Sequence, residues 1–386
     1  MFGRPRGAPL AALSAVVMVA CSNTSVVAPS DTSVLPSLSP RPNADPHRGP
    51  LHTEGRLLVD AGGTPVVLRG AQIQSYNVAW AYRETTWLAA PSFSAMHSWG
   101  MNELRLPFSA CLVSSDSGYL PRLIHLTRQA EAAGLFVVLA LFADKRAGCP
   151  VDGVALPHPY VVAQWARVAA AFHSDPDVLF DLFNEPNLGN GPTTDSEWNI
   201  WAHGGVVSSS SGQSVEVVGL DELARTIRNA GAVTQPLVAE AVNVDDLTGV
   251  TRHLLDDANV VYSIHTYFQG DSSAQHWDPM FGNEAASLPV FVGEWAFLPN
   301  ALGASMCADL HLTAAAATSL VAHFLAYMDE HQVSYNAWSF TPTYLIVDET
   351  GFAPTTMPNP LVCSPRLTAA GMGALYKAHL AALTSP

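Results

Sequence analysis

The sequence has little positive charge. Its 386 residues include 18 lysines and arginines against 33 aspartates and glutamates, which gives a formal net charge of −15. The only lysines are Lys145 and Lys377, and the basic residues form no run. Because phosphate binding depends on clustered cations, this scarcity argues against a nucleic-acid partner. It also argues against a polybasic site for membrane surfaces.

Two kinds of motif are absent as well. No G-x-G-x-x-G motif occurs, which disfavours an open doubly wound sheet, the main alternative to the fold predicted below. No Cys/His cluster has the spacing of metal ligands, so we predict no metal and no cofactor.

The N-terminal apolar run is too short to span a bilayer. It extends from Ala8 to Val19 behind Arg4 and Arg6, a pattern typical of a signal peptide. The run ends in the letters MVAC, which resemble the lipobox of bacterial lipoproteins, although Met18 stands where Leu is usual. We therefore expect cleavage before Cys21 and lipidation of Cys21. The alternative is an ordinary cleaved signal peptide.

Three segments follow from these patterns: residues 1–21 as a lipoprotein-type signal peptide, 22–50 as a tether, and 51–386 as one folded domain. The tether is predicted because residues 22–50 are rich in Ser, Pro, Thr and Asn without an apolar period. We expect an extracytoplasmic bacterial monomer, either a cell-surface lipoprotein or a secreted protein. Its contact with a membrane would be through the lipid anchor only.

From about residue 56, short apolar runs alternate with helical stretches. The runs are rich in Val, Leu, Ile and Phe and are bounded by turn residues, as buried strands are. Eight of them begin at Val66, Asn102, Phe136, Val178, Pro236, Val260, Pro289 and Ser334. Stretches with the apolar spacing of a helix begin at Leu120, Tyr160, Leu220, Leu310 and Leu367. Eight βα units predict an α/β fold, a (β/α)8 TIM barrel in a single domain.

Polar and aromatic side chains directly follow several of the predicted strands. In a βα barrel the carboxyl ends of the strands meet at one mouth, where the active site forms. The residues are Arg105, Asn184, Glu185, His265, Tyr267, Glu294 and Trp338. Glycoside cleavage needs two carboxyl groups facing one bond, so Glu185 and Glu294 are the candidate catalytic pair.

The neighbouring residues suit supporting roles. Arg105 can hold Glu294 ionised and aligned, and Tyr267 can donate a hydrogen bond to the same carboxylate. Asn184 can bond the sugar 2-hydroxyl, a contact that strengthens in the transition state. His265 can bind a sugar hydroxyl or tune the carboxyl pair.

Three tryptophans are candidates for stacking on sugar rings. Trp338 ends the eighth strand, and Trp198 and Trp201 lie in the long loop that follows Glu185. Exposed aromatic side chains on a loop at the catalytic face suit this role. The alternative is that Trp198 and Trp201 pack the loop down.

Five short motifs occur in order along these strands: LRLP, LFNEP, IHTY, VGEW and AWSF. Together they resemble glycoside hydrolase family five, over most of the chain after residue 56. The resemblance implies that Glu185 is the acid/base and Glu294 the nucleophile. It also implies an inner shell of Arg105, Asn184, His265, Tyr267 and Trp338.

The third strand departs from this family. Phe142 stands where the family usually has a histidine, and Asp144 or Lys145 is a candidate for part of that role. The departure puts in question the contacts next to the cleaved bond.

The predicted function is a retaining glycoside hydrolase that binds an oligo- or polysaccharide. It would cleave β-linked glucan, mannan or related β-glycosides by double displacement. Two alternatives are a catalytically decayed carbohydrate-binding surface lipoprotein and a transglycosylase that uses the same residues.

Four cysteines remain when Cys21 is set aside: Cys111, Cys149, Cys307 and Cys363. An even number in an exported protein indicates disulfides, and their spacing alone leaves the connectivity open. In the predicted barrel the first two follow neighbouring strands, as do the last two. We therefore expect the pairs Cys111–Cys149 and Cys307–Cys363.

Overall fold

The structure is a computed structural model that describes residues 49–83, 88–189, 193–268, 274–297, 313–342, 344–356 and 372–384. Its strands are β1 (His52–Glu54), β2 (Leu57–Val59), β3 (Arg69–Gln72), β4 (Glu103–Ser109), β5 (Phe136–Phe142), β6 (Val178–Asp181), β7 (Gly204–Ser208), β8 (Ser214–Val218), β9 (Leu237–Glu240), β10 (Val260–Phe268), β11 (Val290–Phe297) and β12 (Ser334–Trp338). Its α-helices are α1 (Ala90–Ser98), α2 (Ala110–Ser115), α3 (Tyr119–Ala132), α4 (Tyr160–Phe172), α5 (Asp195–His203), α6 (Leu220–Asn229), α7 (Ala274–Trp277), α8 (Ala314–His331) and α9 (Met372–Thr384).

Eight of these strands close into a barrel, in the order β3-β4-β5-β6-β9-β10-β11-β12 and back to β3. Every neighbouring pair is parallel. The predicted (β/α)8 fold is confirmed, and each of the eight predicted apolar runs overlaps one of the barrel strands.

The interior of the barrel changes character along its strands. At one end, Val138, Leu179, Val238 and Val261 share a buried apolar cluster that contains no helix residue, and we call this cluster the barrel floor. Leu51, which precedes the β1–β2 hairpin, is buried in the same cluster. Side chains two or four positions further along a strand face the same way. The polar residues at the C-terminal ends of these strands therefore lie at the opposite end of the barrel, which we call the mouth.

The outer face of the barrel packs against the helices. In α3, Leu123, Leu126 and Ala130 are buried at helical spacing, as their pattern predicts. The helix is followed by Gly134, whose φ of +93° is favourable for a residue without Cβ.

The connection from β6 to β9 differs from the single long loop that the sequence suggests. It contains helix α5 and the antiparallel β7–β8 hairpin. Thr194 and Glu197 form a capping box at the start of α5, which is a signal that the Ser- and Gly-rich surroundings obscured. Val207 and Val215 of the hairpin pack on Leu156, so this insertion supports the loop that follows β5.

One predicted disulfide is confirmed. Cys111 and Cys149 are bonded, with their Cα atoms 5.3 Å apart. Cys21, Cys307 and Cys363 lie outside the described residues, so lipidation and the second disulfide stay predictions. Among the described helices, none combines the length and the apolarity needed to cross a bilayer.

Candidate active site

Arg105 is the centre of the polar network at the mouth. Its side chain is fully buried, and its guanidinium lies 2.8 Å from Asp181, 2.5 Å from Glu240 and 2.7 Å from Glu294. It also donates to Asn184 at 2.9 Å. Although burial opposes the charged form, these carboxylates raise the pKa of Arg105. Arg105 is therefore a permanent cation that positions several acids at once.

Both oxygens of Glu294 are engaged. Arg105 Nη1 donates to Oε1, and the Tyr267 hydroxyl donates to Oε2. Burial raises the pKa of Glu294, whereas His265 and Arg105 oppose that rise. Two donors aimed at the two oxygens suit an ionised carboxylate. The predicted contacts of Arg105 and Tyr267 with Glu294 are both present.

Glu185 has an unusual backbone conformation. Its φ is +53°, in the left-handed region that non-glycine residues rarely adopt. The backbone N–H of Glu185 donates to Glu240 Oε2 at 2.6 Å, which fixes this conformation. Its side chain is 36% exposed, against 4% for Glu294. Strained residues of this type concentrate at functional sites, where surrounding contacts hold them.

His265 connects three carboxylates. Its Nδ1 lies 3.0 Å from Glu185 Oε1 and 3.5 Å from Glu294 Oε2, and its Nε2 lies 3.0 Å from Glu240 Oε1. Burial acts to lower the pKa of His265, but Glu240 and Glu294 raise it well above its ordinary value. A protonated imidazole can donate from both nitrogens, so His265 aligns Glu185 and neutralises part of the acidic cluster.

The two candidate catalytic carboxylates face each other. Ligand atoms of Glu185, His265 and Glu294 all lie within 4.8 Å of one another, so a carboxylate oxygen of each Glu is within that distance. This trio is the cluster of the described residues that could hold a metal ion. Arg105 and Tyr267 already occupy both oxygens of Glu294, however, and a guanidinium this close disfavours a second cation. The donor set fits a pair of reacting carboxyl groups better than a metal centre.

Trp338 closes another side of the mouth. It is partly buried at the end of β12, and its ring meets the rings of Tyr267 and Tyr344 edge-on, with centroids 5.7 and 4.5 Å away. These contacts fix the orientation of the indole.

Comparison of the sequence with models of protein families identifies the family of this chain. The model for cellulase, glycosyl hydrolase family 5, matches residues 59–343. The chain belongs to this family. The residues described above, from Arg105 to Trp338, lie inside the matched segment.

Curated relatives and solved structures extend the comparison. Endoglucanase 5 of Pectobacterium carotovorum subsp. carotovorum is 24% identical over 253 residues, which cover 64% of this chain and 43% of the relative. The chain thus spans about half the length of the curated relatives it matches, such as Endoglucanase N of Pectobacterium atrosepticum at 49%. The crystal structure of a β-glucanase from Saccharophagus degradans has a TM-score of 0.64 at 20% identity, covering 90% of this chain and 98% of that one. A Streptomyces thermolilacinus β-mannanase solved with mannohexaose has a TM-score of 0.54 at 20% identity, with 88% and 97% covered. At these identities the solved structures establish the fold alone.

The structure corrects the interpretation of Trp198 and Trp201 as sugar-stacking side chains. They are 0% and 1% exposed, and they pack edge-to-face with ring centroids 5.1 Å apart. The indole N–H of Trp201 donates to the backbone oxygen of Glu240 at 2.7 Å. The amphipathic pattern of α5 turns both rings inward, so they support the site from behind and offer no face to a sugar.

This family member also has functional candidates that the sequence interpretation missed. Glu240 ends the apolar strand β9, and Asp181 interrupts the apolar run of β6; both are buried against Arg105. Burial acts to raise the pKa of Glu240, but His265 and Arg105 lower it to about 2. The available signal was the one that identified Glu185 and Glu294, an acid in or after an apolar strand. Gln72, the third missed residue, accepts from Arg105.

Proposed function

We propose that the protein is a retaining glycoside hydrolase that cleaves β-linked glucan, mannan or a related β-glycoside, with Glu294 as nucleophile and Glu185 as acid/base. The observation that carries the proposal is the approach of the two carboxylates to within 4.8 Å between oxygens. Retaining enzymes have carboxyl groups roughly 5–5.5 Å apart, whereas inverting enzymes separate them by roughly 6.5–9.5 Å to admit a water molecule. The short gap supports a direct attack by one carboxylate.

The different surroundings of the two acids support this division of roles. Glu294 is buried and aligned by two donors, as a nucleophile needs to be. Glu185 is the more exposed acid and can exchange its proton with solvent between steps. His265 donates to Glu185 and would keep its carboxyl group pointed at the leaving oxygen.

The reaction would take two displacements. First, a carboxylate oxygen of Glu294 bonds to the anomeric carbon while the glycosidic bond breaks, and Glu185 gives its proton to the leaving oxygen. Second, Glu185 takes a proton from a water molecule, whose oxygen replaces Glu294 at the anomeric carbon. This step restores both side chains and the original anomeric configuration. Asn184, whose side chain accepts a hydrogen bond from Arg105, would bond the sugar 2-hydroxyl in both transition states.

Azide distinguishes the two roles. Glu185→Gln and Glu294→Gln should each lose about 10³-fold or more in turnover of an aryl β-glycoside without loss of folding. Azide should rescue Glu294→Ala and give a glycosyl azide of inverted configuration. Azide added to Glu185→Ala should give the retained configuration, because the glycosyl-enzyme still forms. Unchanged turnover in both glutamine variants would overturn the assignment.

Release of the aryl group from the same aryl β-glycoside also distinguishes the hydrolase from a decayed binding protein and from a transglycosylase. A decayed binding protein would bind oligosaccharides but release no aglycone from the wild-type chain. A transglycosylase would show aryl release with transfer to an added sugar acceptor exceeding transfer to water. The intact Glu185–His265–Glu294 arrangement favours a working enzyme over a decayed one, and nothing in the described residues favours transfer over hydrolysis.

A further inference from the structure

A cavity of about 340 Å³ lies beside Glu185, on the side of the mouth formed by the loop after β5. This volume is at the lower end of the range for ligand pockets, roughly 300–1,000 Å³. Its lining includes Phe142, Asp144, Arg146, Gly153, Asn184 and Glu185. Phe142, which stands where the family usually has a histidine, forms part of this lining.

Arg146 is the cation of this lining. Its guanidinium lies 2.7 Å from Asp144 and 6.0 Å from the centre of the Phe142 ring, and 59% of its side chain is exposed. Both recorded contacts with the carboxylate use a single oxygen of Asp144. An arginine has more N–H donors than one oxygen can accept, so donors remain for a ligand.

The backbone around Arg146 is anchored. The Arg146 carbonyl accepts from the Ala79 N–H at 2.8 Å, and the next carbonyl, of Ala147, accepts from the Ser109 hydroxyl at 2.6 Å. The Cys111–Cys149 disulfide ties the same loop to the segment after β4. Asp144 is itself fixed, because it accepts from the Ala147 N–H at 2.9 Å. The cation is therefore pre-positioned, which reduces the entropy lost on binding.

The charges around Arg146 indicate a neutral ligand. Burial opposes the charged form of Arg146, but Asp144, Glu185 and Glu294 raise its pKa. Asp144 already pairs with this guanidinium, and Glu294 is paired with Arg105 and His265, so Arg146 is not a free counter-ion for an anionic sugar. Sugar hydroxyls can accept hydrogen bonds from the guanidinium without adding charge.

We propose that Arg146, aligned by Asp144 over the ring of Phe142, is a specificity-determining residue that hydrogen-bonds hydroxyl groups of the neutral sugar ring next to the cleaved bond. This inference rests on the proposed glycosidase function. The sequence pointed to Asp144 or Lys145 for part of the role of the family's histidine. Asp144 orients the cation, and Lys145 is exposed and outside the lining.

The test compares Arg146→Met, which keeps the apolar stem, and Arg146→Lys, which keeps the charge. Arg225→Met is the matched control, because Arg225 is 61% exposed and lies 4.0 Å from Asp256 on the outer ring. Hydrolysis of cellotetraose and of mannohexaose is followed for each variant. Calorimetry then measures the binding of the same two oligosaccharides to each variant combined with Glu294→Gln. Melting temperatures verify folding.

For the preferred oligosaccharide, Arg146→Met should weaken binding and lower kcat/KM about 10- to 100-fold, the loss expected for hydrogen bonds to a charged donor. KM should carry most of this change, with Arg146→Lys intermediate and Arg225→Met unchanged. If the wild type hydrolyses a probe and Arg146→Met stays within twofold of it, the inference fails and the proposed function stands. Binding that depends on Arg146 without any hydrolysis overturns the proposed function instead. Absence of both binding and hydrolysis overturns both.

A charged probe tests the neutral character of the ligand. Cellotetraose oxidised at C6 to its uronate form should bind more weakly than cellotetraose itself. Tighter binding of the uronate by tenfold or more, lost in Arg146→Met, would overturn the assignment of a neutral sugar.

Discussion

At the floor of the barrel, Val138, Leu179 and Val261 share one buried apolar cluster. At the mouth, two or four positions further along the same strands, stand Phe142, Asp181 and His265. The floor gains stability from burial of apolar area. The mouth buries charges, which costs desolvation free energy unless each charge is paired. The same strands therefore carry a floor that stabilises the barrel and a mouth whose buried charges must be paired with one another.

We expect the largest loss of stability and activity when Arg105, the shared cation of the mouth, is replaced. Arg105→Met leaves Asp181, Glu240 and Glu294 buried without their shared cation. Unfolding in urea should show a loss of about 3–5 kcal/mol, and hydrolysis should fall to background. Arg225→Met serves as the control. A variant that keeps wild-type stability would show that the acids adjust by protonation.

The cross-link near the mouth should contribute almost as much to stability. Replacing Cys111 and Cys149 by serine opens a loop with a sequence separation of 38 residues. The chain-entropy relation gives a loss of about 4 kcal/mol at 25 °C. Because this loop carries Arg146, KM should rise while kcat changes little. Denaturant midpoints and steady-state kinetics provide the check, and an unchanged KM would mean that the loop is held without the bond.

A substitution that creates a cavity at the floor should lower stability without lowering activity. Leu179→Ala removes a side chain that is 1% exposed and lies two positions before Asp181 on β6. The expected destabilisation is about 2–5 kcal/mol, with kcat/KM retained well below the melting temperature. A fall in kcat/KM as large as that of Arg105→Met would show that floor packing also sets the geometry of the mouth.

The smallest effect, counted per pH unit, concerns the buried Glu103 on β4. Glu103 is fully buried beside Gly70, whose lack of Cβ leaves room for it, and it accepts from Asn336 at 2.7 Å. Burial raises the pKa of Glu103 from 4.5 to about 8, although Asn336 and Arg105 oppose this.

Between pH 4.5 and about 8, Glu103 keeps its proton in the folded state and loses it in the unfolded state. The free energy of unfolding should therefore fall as pH rises through that window. The slope is about 1.4 kcal/mol per pH unit. Glu103→Gln should remove this part of the slope in urea titrations from pH 5 to 8. An unchanged slope would mean that Glu103 is ionised when folded.

Much of the candidate site could be predicted because polar and aromatic residues at strand ends are visible in the sequence. Glu185, Glu294, Arg105 and Tyr267 were identified as candidates in this way. Asp181 and Glu240 have the same signature, but only the barrel geometry shows that they share Arg105 with Glu294. The sequence left open whether Trp198 and Trp201 stack on sugars or pack the loop, because exposure depends on which face of α5 turns inward, and the helix itself was hidden in a polar segment.

The sequence alone determined the eight strands, the family and the candidate catalytic pair, because strand periodicity and short motifs are local properties of the chain. Only the tertiary structure decided which acids share Arg105 and which tryptophans are buried. It alone also brought Arg146 beside Phe142 and Glu185. The acids around Arg105 are far apart in the chain, as are Arg146 and Glu185, and they meet only because parallel strands bring their ends to one mouth.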